Sequence, residues 1–175
     1  LEELAHVPPR AGWFTETYCV RSRFFQPHNG ERVDAIRDAL AEMRLSPVIE
    51  AIALVSLMEA ADRVDSTTGV QMAYLKSWAA RSHQTLELRM PRILAGPGRA
   101  LCAEAIEAAR AAEVDVAYLD PPYNQHRYVG NYHIWETLVR WDRPEVFGVA
   151  MKRVQSREVK SDFNSKRRIH SALAE

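Results

Sequence analysis

The chain has 175 residues, 47% hydrophobic and 26% charged, with 23 basic side chains against 23 acidic ones. That composition is globular and long enough for one ordinary domain, and the zero net charge excludes a polycation, so any nucleic-acid contact has to come from basic residues clustered locally. No apolar run approaches the ~18 residues of a membrane span, and no secretory leader is visible, which places the expected location in the cytoplasm. Cys19 and Cys102 lie outside any CxxC or zinc-ligand spacing and are expected as reduced thiols; no metal is implied.

The first thirty residues are punctuated by Pro8, Pro9, Gly12, Pro27 and Gly30, with Trp13, Phe14, Tyr18, Phe24 and Phe25 between them. So many aromatics predict a packed loop rather than a solvated tether. From Asn29 a helix is expected: Val33, Ile36 and Leu40 recur at helical spacing, and Arg32, Asp34, Arg37 and Asp38 fill the other face. Ser46 and Pro47 suit the N-cap and first position of a second helix. Its run Val48 to Val64 is apolar around most of the circumference, which predicts deep burial. A shorter helix is expected near Val70 to Ala80. Leu86 to Met90 alternates like a half-exposed strand, Gly96-Pro97-Gly98 is a turn, and Ala100 to Ala103 is read as a short strand. Glu104 to Ala112 is alanine-rich and helical. Val114-Asp115-Val116-Ala117-Tyr118-Leu119 is β-prone and predicts a buried strand, Asn131 to Trp141 a helix, and Phe147 to Met151 a further strand. A helix feeding a strand whose carboxyl end carries polar residues is the doubly wound α/β pattern.

That carboxyl end reads Asp120-Pro121-Pro122-Tyr123. The exocyclic amine of a nucleobase is a poor nucleophile because its lone pair is delocalised into the ring. Two acceptors taking its N–H groups favour a pyramidal nitrogen and aim the lone pair outward. The Asp120 carboxylate is one such acceptor and the Pro121 carbonyl the other, with no N–H on Pro122 to compete for it. Two prolines stiffen the turn, so the acceptors need little reorganisation. Tyr123 offers a flat face for an extruded base, and such stacking contributes roughly 1–3 kcal/mol per base. The plain alternative is a rigid turn with a capping Asp and a packed Tyr. The following loop, with Asn124, Arg127 and Tyr128, is suited to closing over a base or touching phosphates, or is simply solvated; His126 and His133 have no metal-ligand pattern. Between Met151 and His170 stand Lys152, Arg153, Arg157, Lys160, Lys166, Arg167 and Arg168 against Glu158 and Asp162. Contact with a nucleic-acid backbone and a solvated segment both explain that balance, and Lys152 and Arg153 are the candidate contacts.

With these residues in view the chain resembles the Dam-like, DPPY-containing adenine-N6 DNA methyltransferases. Three stretches carry the likeness: Phe24 to Arg37, which resembles the entry to the family's helical recognition region; Leu57 to Val64 with Ala73-Tyr74-Leu75-Lys76, which resembles its interior; and Ala117 to Gln125, which resembles the catalytic motif. The resemblance implies a partial Rossmann-like α/β sheet with a helical insertion. Residues 1–28 and 86–175 would be catalytic-domain segments and 29–85 the target-recognition insertion. It also implies S-adenosylmethionine as methyl donor, double-stranded DNA as partner, a flipped adenine as acceptor, Glu104 and Asp120 as donor contacts, and a place in restriction-modification. The family's glycine-rich donor-binding loop is not found before Thr15, and the chain opens on Leu1. An internal piece is therefore expected, with a second chain or a missing segment supplying that loop. The alternatives are a non-catalytic DNA- or protein-binding remnant, or a methylase of protein glutamine or RNA guanine, which use related motifs.

Overall fold

The computed structural model describes residues 1–122 and 126–174. They form two compact units, Leu1–Pro91 with Val129–Val159, and Arg92–Tyr128 with Lys160–Glu175. The architecture is mixed but dominated by helices, and the one sheet among the described residues has two strands. No helix among them is long and apolar enough to cross a membrane.

In the first unit, α1 (Glu2–Ala5) and α2 (Trp13–Thr15) precede a π-helical turn, Glu16–Val20. The aromatic residues do pack: Phe14, Tyr18, Phe24 and Phe25 are wholly buried, and edge-to-face pairs join Tyr18 to Phe14 and Phe24. The Tyr18 hydroxyl lies 3.3 Å from Thr137 Oγ1, and burial pushes its pKa up to about 12. Helix α3 (Pro27–Glu42) buries Val33, Ile36 and Leu40 as its spacing predicts. Its neighbour α4 (Pro47–Asp62) begins on Ser46 and Pro47 as expected, though the Ser46 side chain makes no capping hydrogen bond.

One expectation about these helices is corrected. The α4 helix is not buried all round. Ala53, Ser56, Leu57, Ala60 and Ala61 face inward, while Val48, Ile49 and Val55 are exposed. Packing on one side of a helix covers only a stripe of it, whatever the residues elsewhere. The polar face of α3 is partly buried. Asp34 and Arg37 are buried because each meets backbone groups that have no other partner. Asp34 accepts from the N–H groups of Gly12, Phe14 and Thr15 at 2.9, 3.0 and 2.8 Å, and from Thr15 Oγ1 at 2.6 Å. Arg37 donates to the carbonyls of Leu138 and Val139 at 2.8 and 3.0 Å, at the carboxyl end of α7 (His133–Arg140), where helix carbonyls lack intrahelical partners.

Gly30 lets α3 approach the π-turn. A Cβ there would lie 2.3 Å from Cys19 Sγ and 3.2 Å from Thr15 Cα. Cys19 is buried and burial drives its thiol pKa well up, while Cys102 is exposed; both are free thiols.

No helix spans 70–80. An isolated bridge joins Thr67 to Tyr74, and a 3-10 turn, Ala80–His83, follows. Buried Asp65 organises this loop through Arg81 and Thr67 Oγ1. Such side-chain bonds offer backbone an alternative to helix. Along 86–89 exposure alternates, with Leu86 wholly buried and Leu88 half-buried, but Met90 is exposed and the segment forms no ladder. Side chains take the backbone groups instead: Leu86 N–H donates to Asn29 Oδ1 at 2.8 Å, Arg32 Nε to Leu86 O at 3.0 Å, and Ser56 Oγ to Arg89 O at 2.7 Å.

After α6 (Tyr128–Asn131) and α7, strands β1 (Val146–Phe147) and β2 (Lys152–Arg153) pair antiparallel, Val146 opposite Arg153. The expected strand over 147–151 is thus the corner of a hairpin. His133 is wholly buried, 2.9 Å from Ala150 O and 3.2 Å from Gly130 O.

The second unit holds α5 (Ala105–Arg110), a 3-10 turn at Asp162–Asn164 and α8 (Ile169–Ala174). The strands expected over 100–103 and 114–119 are not formed. Val114, Val116, Tyr118 and Leu119 are exposed, Tyr118 at 87%. A β-prone segment becomes a strand only where neighbours take its N–H and C=O groups. Among the described residues the sole ladder is the β1–β2 hairpin of the other unit.

Candidate active-site turn and its surroundings

Asp120 stands at the surface of the second unit, and Pro121 and Pro122 follow it half-buried. The carboxylate is therefore not sealed in a core, as a role in binding an incoming amine requires. The Tyr128 hydroxyl donates to the Asp120 backbone carbonyl at 3.2 Å, tying the start of the motif to the start of α6. Tyr123 and Asn124, expected to stack on the base and to touch DNA, lie outside the described residues.

Glu104 is the N-cap of α5. Its Oε2 accepts from the Ile106 N–H at 3.0 Å, and the side chain is exposed. A carboxylate at a helix N-terminus is favoured by the unpaired N–H groups there. Arg127 is half-buried and Tyr128 exposed. Beside Arg127, a groove of about 690 Å³ is lined by it together with residues of the 160–168 segment. Asn164 Nδ2 donates to the His126 carbonyl at 3.2 Å, so within this unit the tail is fastened to the loop that follows the motif.

The two cations expected from the hairpin lie in the first unit. Lys152 is half-buried, its Nζ close to Gly130. Arg153 does not fit the role expected of it. Only 2% exposed, it forks onto Asp142 and also donates to Thr137 Oγ1 at 3.2 Å. The hydrogen-bonded pair holds Asp142 below the usual carboxylate range and Arg153 above the usual guanidinium range. A buried cation already neutralised by a carboxylate is not offered to a phosphate.

The burial of the polar residues Asp34, Arg37 and Asp65 is not legible in the sequence. Their only signal there is a charge close to an apolar helical repeat or following its end. Among the described residues, no group of three or more His, Cys, Asp or Glu side chains is placed to hold a metal ion.

Comparison of the sequence with known proteins shows the family. Residues 2–172 match the family model of the D12 class N6 adenine-specific DNA methyltransferases. The type II methyltransferase M.NlaIII of Neisseria lactamica is 31% identical over 152 residues, covering 81% of this chain and 46% of that protein. The modification methylase LlaI of Lactococcus lactis is 29% identical, covering 84% of this chain and 26% of its own. The type II methyltransferase M.FokI of Planomicrobium okeanokoites is 32% identical, covering 71% and 20%. The chain thus spans less than half the length of these relatives. No solved structure matches it. The chain belongs to the D12 class N6 adenine-specific DNA methyltransferases.

Proposed function

We propose that this chain carries the base-binding turn of an enzyme that methylates adenine N6 in double-stranded DNA, with S-adenosylmethionine as methyl donor. The observation that carries the reading is Asp120-Pro121-Pro122 in a D12-class chain with its carboxylate at the surface. In this reading the Asp120 carboxylate and the Pro121 carbonyl each accept one N–H of the flipped adenine's amine. Pro122 fixes the turn, and Tyr123 stacks on the base. The pyramidal nitrogen then presents its lone pair for direct in-line transfer, with no covalent bond to the enzyme. The proton released from the amine passes through the Asp120 carboxylate to water.

The acids present fit the donor chemically. A carboxylate can accept from the donor's hydroxyl or ammonium groups, and Glu104, whose Oε2 meets the Ile106 amide, and Asp120 are the residues that would hold it. S-adenosylmethionine supplies, when bound, an electrophilic methyl group on a sulfonium. Arg127, Tyr128 and Lys152 are the proposed contacts to DNA, and Arg153 positions the hairpin that bears Lys152. Residues 29–85 would serve as the target-recognition insertion, and 1–28 and 86–175 as segments of a Rossmann-like catalytic region. Relatives named modification methylases favour a partnership with a restriction nuclease in the cytoplasm.

The test is methyl-labelled donor with an adenine-containing duplex. Label is expected in N6-methyladenine, falling on the order of 10²–10³-fold in Asp120→Ala as a preorganised acceptor is removed, with melting temperature unchanged. Label on guanine or glutamine, with none in adenine, would overturn the assignment.

A further inference from the structure

Around the 160–168 segment the second unit has built a concavity whose lining is unusual. Among the described residues it is lined by Arg127, Lys160, Arg167 and Arg168, one acid, Asp162, and small polar side chains, with no aliphatic or aromatic one. Pockets for small organic ligands are mostly apolar, with a few placed polar groups. Contacts to nucleic-acid phosphates, by contrast, are made by Arg and Lys together with Ser and Asn. At about 690 Å³ the groove admits more than a lone oxyanion; it is large enough for a phosphodiester with its flanking sugars.

The local structure explains how the groove is held open. The 3-10 turn Asp162–Asn164 reverses the chain, and Ser165 O accepts from both Arg168 N and Ile169 N at 2.9 Å, starting α8. Arg168 pairs with Asp162 at 2.9 Å across this reversal, which sets one wall. Arg127 also lines the groove, and the Asn164–His126 bond ties its loop to the 160–168 segment.

We propose that this groove is a phosphate clasp for the DNA backbone, with Lys160 and Arg167 as its principal cations and Arg127 as a third. The proposal rests on the reading of the chain as a DNA methyltransferase and adds a binding site that the DPPY turn does not supply. The clasp lies in the same unit as Asp120 and joins the loop that leaves the motif. It therefore sets where the backbone runs beside the nucleotide to be flipped, and it is blind to sequence.

The experiment is titration of the full chain into a fluorescent duplex across a range of salt concentrations, with Lys160→Ala/Arg167→Ala compared with the parent and with Arg99→Ala, an exposed cation outside the groove. Both groove side chains are exposed, and circular dichroism and melting should match the parent. The expected result is a fall of about 1.8 in the slope of log affinity against log salt, about 0.9 for each phosphate that is no longer neutralised. At moderate salt, affinity should be at least 10-fold weaker, equally for duplexes with and without adenine targets. Arg99→Ala should behave as the parent, and Lys160→Arg should retain binding. Equal slopes for the parent and the double variant would overturn the clasp while leaving adenine methylation standing. A parent that binds single-stranded RNA more tightly than duplex would overturn the choice of DNA. A parent that binds no duplex would overturn the clasp together with the DNA reading on which it rests, and labelled-methyl incorporation shows separately whether methylation survives.

Discussion

In the unit formed by residues 1–91 and 129–159, four charged side chains are buried and bonded to backbone groups or to a counter-charge; in the unit formed by 92–128 and 160–174, none of the described charged side chains is buried. Asp34, Arg37, Asp65 and Arg153 bind otherwise orphaned amides, carbonyls or a carboxylate, and they fix the loops around one aromatic core. Asp120, Glu104, Lys160 and Arg167 stand at the surface, and each is of a type that meets an amine, a hydroxyl or a phosphate. The same residue types are thus scaffold in one region and chemistry in the other. What separates the two sets is burial: Glu104 also takes an orphan amide, that of Ile106, yet stays in water.

The contrast can be broken most severely at Asp34. Asp34→Ala strands the Phe14 and Thr15 N–H groups and the Thr15 hydroxyl in the core, with an expected loss of about 3–5 kcal/mol of stability, at about 1–3 kcal/mol for each unsatisfied group and with partial relaxation. Chemical denaturation checks it, and a change under about 1 kcal/mol, the cost of a single unsatisfied group, would show that the carboxylate does not organise this region. Acid comes next. Burial, with Lys152 and Arg153 nearby, lowers the pKa of His133 from 6.5 to about 4, against the two carbonyls that would favour its protonation. The unfolded chain therefore binds a proton that the folded chain refuses between those values. The stability this contributes is whole above pH 6.5 and is lost as pH falls to 4, by about 3 kcal/mol at 1.36 kcal/mol per pKa unit. His133→Gln should flatten that part of the pH–stability curve; an unchanged curve would put the titrating group elsewhere.

Smaller effects sharpen the picture. Gly30→Ala forces Cys19 or α3 to move and should cost about 1–3 kcal/mol, with Gly30→Ala/Cys19→Ala recovering part of it in a double-mutant cycle. At the far end, Tyr118→Ser in the exposed segment should shift stability by less than about 0.5 kcal/mol. A larger loss on thermal unfolding would mean that the phenol ring is packed after all.

Legibility in the sequence follows the same divide. Helices α3, α4, α5 and α7 are readable because apolar spacing or alanine content sets a helix locally, and Ser46, Pro47 and Glu104 mark two of their beginnings. The segments 86–90, 100–103 and 114–119 read as strands without forming them, because β-propensity says only that a partner would be welcome. Asp34 and Arg37 read only as the face opposite the apolar stripe because helical periodicity records which positions are apolar. It does not record that Gly12, Phe14 and Thr15 arrive with three amides to satisfy. The DPPY motif can be picked out because the chemistry proposed for it resides in four consecutive residues, whereas the groove beside Arg127 draws on residues more than thirty positions apart, and no window along the chain contains it.

Asp38, at the edge of α3, gathers the Trp141 indole N–H at 2.8 Å, Arg10 at 2.9 Å and Arg143 at 3.5 Å. The indole bond is neutral on the donor side and half-buried, while both arginines stand largely in water. Dissolved ions shield the second kind of attraction and scarcely touch the first. A rise in ionic strength therefore weakens the tie of the Arg10 side chain to α3 while leaving the seam between α3 and the end of α7 closed, so one carboxylate serves as a permanent rivet on one side and a salt-sensitive latch on the other.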